Sequence, residues 1–181
     1  MAVVGSNTRR VAVPAVAAAV AASLAGAASS SSRLGSTNGG GYRDVTKLIP
    51  EATLRVRAKP GFSKAVLLEA DGSTTGNRQT TSATGITRWR FVYNDQGTPN
   101  FKYRSAFLYY ARGRFGRIVA NRSPFVEDLN IPRVPKMTLV TAVAKLRAAG
   151  YRSGFSNVTL RHPIAGRPGP EPLYIGSGRA R

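Results

Sequence analysis

The chain has 181 residues, room for one ordinary domain, and carries 27 Lys and Arg against 8 Asp and Glu for a formal net charge of +19. It has no cysteine and a single histidine, His162. That inventory excludes a disulfide framework, a thiolate nucleophile or metal site, a lipid-modified cysteine and a multi-histidine metal centre. A charge of this sign concentrates any polyanion, whether nucleic acid, anionic lipid or an acidic cell-wall polymer, without choosing among them. The basic residues are mostly Arg and scattered, which also fits a merely solvated basic surface.

Residues 1–43 contain no acid and read as an address. Arg9-Arg10 supplies a positive start, residues 11–24 are an apolar stretch rich in Ala and Val, and Ala25-Gly26-Ala27 offers the small residues that a signal peptidase reads. Residues 1–27 are therefore read as a signal peptide. The alternatives are a transmembrane helix, for which the stretch is short and interrupted by Pro14, and an Arg- and Ser-rich transit peptide. Loss of Arg9 and Arg10 leaves 25 basic against 8 acidic residues, so the basicity belongs to the mature chain. The expectation is a secreted or extracytoplasmic protein with no stable membrane anchor after cleavage. Residues 28–43, with a Ser run and Gly39-Gly40-Gly41, read as a flexible linker.

Along residues 44–58, Val45, Leu48, Ile49, Ala52 and Val56 recur at three- and four-residue steps, which predicts a helix with Asp44 as its cap. Pro50 falls inside that pattern, and a proline belongs in a first turn, so the regular helix is expected to begin there. Residues 65–70 read as a short apolar strand and 72–85 as a polar loop. Residues 86–93 alternate, with Thr87, Trp89, Phe91 and Tyr93 on one side and Ile86, Arg88, Arg90 and Val92 on the other, as in a half-buried strand with its aromatics inward. A turn at 94–100, a strand at 105–111, a tight turn at 113–116 and a short strand at 117–120 follow. A Pro-punctuated connector leads to a second helix at 138–149, with Leu139, Val140, Val143 and Leu146 on its apolar face and Gly150 as its stop. Residues 157–161 and 173–175 read as two more strands.

Gly61-Phe62-Ser63 reappears 93 residues on as Gly154-Phe155-Ser156, each time after a helix and before an apolar strand. The fold class is therefore α+β, with two helix-plus-antiparallel-strand units in tandem forming a helix-on-sheet layer arrangement. The first unit spans 44–120, a connector 121–136, a second and shorter unit 137–176, and a basic tail 177–181. On this element order and its two Gly-Phe-Ser turns, the region 44–175 resembles the PepSY-like domains of secreted bacterial proteins and, more distantly, the tandem fold of the β-lactamase inhibitory proteins. The resemblance implies a non-enzymatic binding or inhibitory module. The absence of cysteines departs from the inhibitory proteins, which carry disulfides, and a missing closing strand would leave the second unit with an open edge.

Candidates for catalysis fail by inventory. His162, beside Pro163 at a strand end, reads as a surface histidine, Glu127-Asp128 as loop or cap acids, and no glycine stretch has phosphate-loop form. No enzyme activity, cofactor or metal is expected. For binding, the richest patch is Arg88, Trp89, Arg90, Tyr93, Arg104, Tyr109, Arg112 and Arg114, with Lys102, Tyr103, Tyr110 and Arg117 around it. Basic groups interleaved with aromatics grip phosphates and stack bases, but alternation equally makes Trp89 and Tyr93 core and the arginines solubilising charge. The first expectation is an exported binding module for an unidentified protein partner. The second is a polyanion-binding protein that uses this Arg-rich sheet face.

Overall fold

The computed structural model describes residues 41–97, 104–125, 129–162 and 171–177. The expected signal peptide, the linker up to residue 40, Lys102, Tyr103 and Glu127-Asp128 lie outside the described residues. Among the described residues the fold is α+β: helices α1 (Val45–Arg57) and α2 (Leu139–Ala148), and one antiparallel sheet of β1 (Ala65–Ser73), β2 (Arg88–Asp95), β3 (Arg104–Ala111), β4 (Arg114–Asn121), β5 (Asn157–Arg161) and β6 (Leu173–Ser177). The strand order is β4-β3-β2-β1-β5-β6, so β5 is paired directly with β1.

Helix α1 begins at Val45, five residues before the start that Pro50 suggested. An interior proline removes a backbone donor and costs about 3 kcal/mol. Two features offset it. Val45, Leu48, Ile49, Ala52 and Val56 are all buried, as the spacing predicted. The Asp44 carboxylate also anchors the first turn, accepting from Thr46 N at 3.0 Å, Thr46 Oγ1 at 2.9 Å and Tyr42 OH at 2.6 Å. A fourth donor, Leu139 N at 3.0 Å, comes from the start of α2. One carboxylate thus caps two helices, and Thr138 adds its own cap by accepting from Thr141 N.

The sheet sorts its side chains through two bulges. Strict alternation along β1 would send Ala65, Leu67, Glu69 and Asp71 to one face. A shift between Leu67 and Glu69 inserts Leu68, so that Ala65, Leu67, Ala70 and Gly72 share a face with Trp89, Phe91 and Tyr93, while Glu69 and Asp71 turn to the opposite face. A second shift in β4 places two residues opposite Tyr109 and sends both Phe115 and Ile118 to the core side. The core gathers this face of β1, β2 and β3 with Val158, Leu160, the buried side of α1, and Leu139 and Val143 of α2. Of the expected apolar face of α2, Val140 and Leu146 are exposed, because only the i, i+4 pair reaches the core.

Several boundaries differ from the sequence reading. Strand β1 runs on through Asp71 to Ser73, because these residues pair with both Arg88–Arg90 and Asn157–Thr159. The expected tight turn at 113–116 reduces to Arg112-Gly113, and Arg114 and Phe115 already belong to β4. His162 is buried, not a surface residue, since it continues the inward alternation of Val158 and Leu160. Its Nδ1 has no hydrogen-bond partner among the described residues.

Burial pushes the phenols of Tyr42, Tyr93 and Tyr174 well above the ordinary range; the Asp44 charge adds to this at Tyr42 and Tyr174, while Thr53 and Arg57 partly oppose it at Tyr93. Raised folded-state values mean that the contribution to stability is complete below the unfolded tyrosine pKa of about 10 and is lost as pH rises beyond it. Alkaline unfolding is therefore expected to start above about pH 10. Phenolate absorbance of these three should appear together with loss of circular dichroism. Free titration of all seven tyrosines with the dichroism intact would contradict the burial argument.

Candidate functional site

Cross-strand partners share a face, so the register lays out the sheet surface opposite the core in rows. One row is Thr159, Asp71, Arg90 and Tyr109; the next, toward the β3–β4 turn, is Asn157, Ser73 and Arg88, continued by Ala111 and Arg114. In the first row Arg90 is held by two carboxylates, with Nη2 2.6 Å from Asp71 Oδ2 and 2.9 Å from Glu69 Oε1. The other oxygen of Asp71 accepts from Thr159 Oγ1 at 2.7 Å. Burial by itself would lower the Arg90 pKa, but the Asp71 hydrogen bond and the charges of Asp71 and Glu69 outweigh it and raise the value. Arg90 is therefore a structural cation, satisfied within the sheet.

The second row has no such acid. Beside the β3–β4 turn lies a cleft of roughly 830 Å³ lined by Arg88, Arg112, Arg114 and Tyr109 together with Thr75, Thr87 and Phe115. No carboxylate lines it, and among the described residues none of its three arginines makes a salt bridge. The described acids are all engaged elsewhere: Asp44 at the helix caps, Glu51 with Arg43 and Arg55, Glu69 and Asp71 with Arg90, Asp95 accepting from Lys64 N, and Glu171 with Arg133. Pairing thus neutralises the interior of the sheet and leaves the turn end uniformly positive.

The backbone at this end is itself constrained. Ala111 and Arg114 flank a two-residue turn in which Arg112 has φ 52° and Gly113 φ 77°. Such turns favour Asn-Gly, because both central residues need positive φ. An arginine there carries roughly 1–2 kcal/mol of left-handed strain. Arg112 is nonetheless one of the residues that line the cleft.

Of the eight residues singled out in the sequence, the structure brings Arg88, Tyr109, Arg112 and Arg114 together. Trp89 and Tyr93 are removed from the candidate surface: both are buried on the core face, as the two-residue period of β2 requires. Tyr110 of β3, paired opposite Trp89, is buried on the same face. Arg90 is adjacent but occupied, and Arg104 sits at the far end of β3, opposite Asp95. At about 3.4 Å per residue it lies more than roughly 20 Å along the strand from the turn. Thr75 and Thr87, which hydrogen-bond to each other at 3.1 Å, were not singled out, because a polar loop in sequence does not disclose which strand end it folds against.

Among the described residues no three His, Asp or Glu side chains gather as for a metal ion, and no helix is long and apolar enough to cross a membrane. No protein-family model matches the chain, nor does any curated protein or solved structure.

Proposed function

We propose that this protein is an exported, non-enzymatic polyanion-binding protein whose ligand lies in the cleft at the β3–β4 turn. The observation that carries the reading is the convergence of Arg88, Arg112 and Arg114, free of any salt bridge among the described residues, on one acid-free cleft. Unpaired guanidinium groups are weakly hydrated forks that match phosphate and carboxylate oxygens, and their field raises the local concentration of an anionic polymer. Export rests on Arg9-Arg10, the apolar stretch 11–24 and Ala25-Gly26-Ala27. It is tested by the intact mass of the protein recovered from culture medium. The two helix-then-strand segments, α1 with β1 and α2 with β5, are read as tandem copies of one helix-on-sheet unit.

The binding test is fluorescence anisotropy of a labelled oligonucleotide and of labelled heparin across a salt series. Each phosphate neutralised on a single strand contributes about 0.7 to the slope of log K against log salt. Converting Arg88, Arg112 and Arg114 together to Gln is expected to lower that slope by about 2 and to weaken binding at low salt by at least an order of magnitude. A slope unchanged in a variant of unaltered thermal stability would remove the cleft from the reading.

A second reading, the protein-binding or inhibitory module that the PepSY-like resemblance implies, is favoured by the edge strand β4. Val119 is exposed there beside a second concavity lined by Arg55, Lys59 and Arg117. Salt-tolerant capture of one protein would support it over the first.

A further inference from the structure

We infer that the polyanion is a single-stranded nucleic acid, whose backbone lies on Arg88, Arg112 and Arg114 and one of whose bases stacks on Tyr109. The inference rests on the polyanion reading of the same cleft and names its ligand.

Three observations point to a ligand that brings rings as well as charge. Tyr109 is 48 % exposed on the outward row of β3, whereas Trp89, Phe91, Tyr93 and Tyr110 on the sheet are buried. Its neighbour across the ladder is Arg90, held in place by Asp71 and Glu69, so the ring has a fixed flank on that side, and the cations beside it are Arg88, Arg112 and Arg114, which line the same cleft. Every base has a π-face, and a tyrosine beside cations is the arrangement by which single strands are held without sequence preference.

The second observation is shape. The cleft is concave, of the size that accommodates a small-molecule ligand, and the hydrogen-bonded pair Thr75 and Thr87 adds hydroxyls to its wall. Reading a duplex takes a protruding helix or ribbon that enters a groove, whereas a concavity admits an unpaired nucleotide. The third is Arg112. An Asn-Gly turn would relieve its left-handed φ, so an arginine lines the cleft here against the local backbone preference. An inorganic polyphosphate, which has no rings, would use the arginines and leave Tyr109 idle.

The test uses the full chain and two anionic probes of similar length, an oligothymidylate and an inorganic polyphosphate, with Tyr109→Ala, Tyr109→Phe and Arg112→Asn variants. Stacking of one base predicts that Tyr109→Ala loses about 5- to 140-fold in affinity for the oligothymidylate, that Tyr109→Phe stays near wild type, and that neither changes affinity for polyphosphate. Arg112→Asn is expected to raise the melting temperature while weakening both probes. Equal losses on both probes in Tyr109→Ala, no loss on either, or tighter binding of the matching duplex than of the single strand would each overturn the assignment to a stacked single strand. Wild-type protein that binds neither probe would instead overturn the polyanion reading on which the inference stands.

Discussion

Replacing Asp44 with alanine is expected to destabilise the fold by about 2–4 kcal/mol, a fall in melting temperature on the order of 10 °C for a folded region of this size. The expectation follows from the four donors that converge on one carboxylate: Thr46 N and Oγ1 and the Tyr42 hydroxyl at the start of α1, and Leu139 N at the start of α2. A single helix cap contributes about 1 kcal/mol. Here two caps fail together, and the Tyr42 hydroxyl and the Leu139 amide, part-buried, lose their acceptor. The loss reaches further than the two caps, because the Asp44 anchor is also one of the two features that offset Pro50 inside α1. Urea unfolding of Asp44→Ala beside Thr138→Ala provides the comparison. The threonine side chain meets only Thr141, through its N and its Oγ1, and its loss is expected to cost about 1 kcal/mol. If the aspartate variant proves no less stable than the threonine variant, the shared cap does not hold the two helices.

Gly72→Ala is expected to destabilise by about 2–3 kcal/mol and to shift the fluorescence of Trp89, the single tryptophan. A methyl at this position would stand 2.6 Å from the Ile86 Cγ2 atom and 2.8 Å from the ring of Trp89. Both neighbours are buried, Ile86 fully and Trp89 almost so, and neither has free space into which to move. Gly72 faces Trp89 across the β1–β2 ladder, so the missing side chain of one makes the room for the indole of the other. Gly116→Ala is the matched control. Its added carbon would meet nothing nearer than the Tyr109 carbonyl at 3.6 Å, and its effect is expected within about 0.5 kcal/mol. Equal effects of the two substitutions would mean that the indole can be accommodated elsewhere and that the close fit is incidental.

The elements themselves were legible because their periods are local. Three- and four-residue steps located α1, and the alternation in β2 separated Trp89, Phe91 and Tyr93 from Arg88 and Arg90. Where a local pattern is interrupted, the reading failed. Pro50 moved the expected helix start, although the buried face from Val45 and the Asp44 cap that offset it are both local; what lay out of local reach was the α2 amide of Leu139, 95 positions along the chain, which donates to the same carboxylate. The bulge at Leu68 reverses the inside and outside of β1 at its midpoint, and no alternation rule foretells a parity change. His162 read as a surface histidine because Pro163 marks a strand end there, yet it keeps the inward phase of β5.

The candidate site divides along the same line. Composition by itself determined a basic chain without cysteine or clustered histidine, and hence which chemistries it lacks; periodicity determined the α+β class and the two helices. Only the tertiary structure decided which arginines are available. Pairing depends on neighbours across strands: Asp71 lies 19 residues from Arg90 in sequence and 2.6 Å from it in space, whereas Arg88, two residues earlier, faces Ser73. That difference in cross-strand partner, set by register and by the bulge, leaves charge unneutralised at one end of the sheet and places Tyr109 beside it. A linear sequence records the charges, but the field they produce depends on the distances among them, and those distances exist only once the strands have paired.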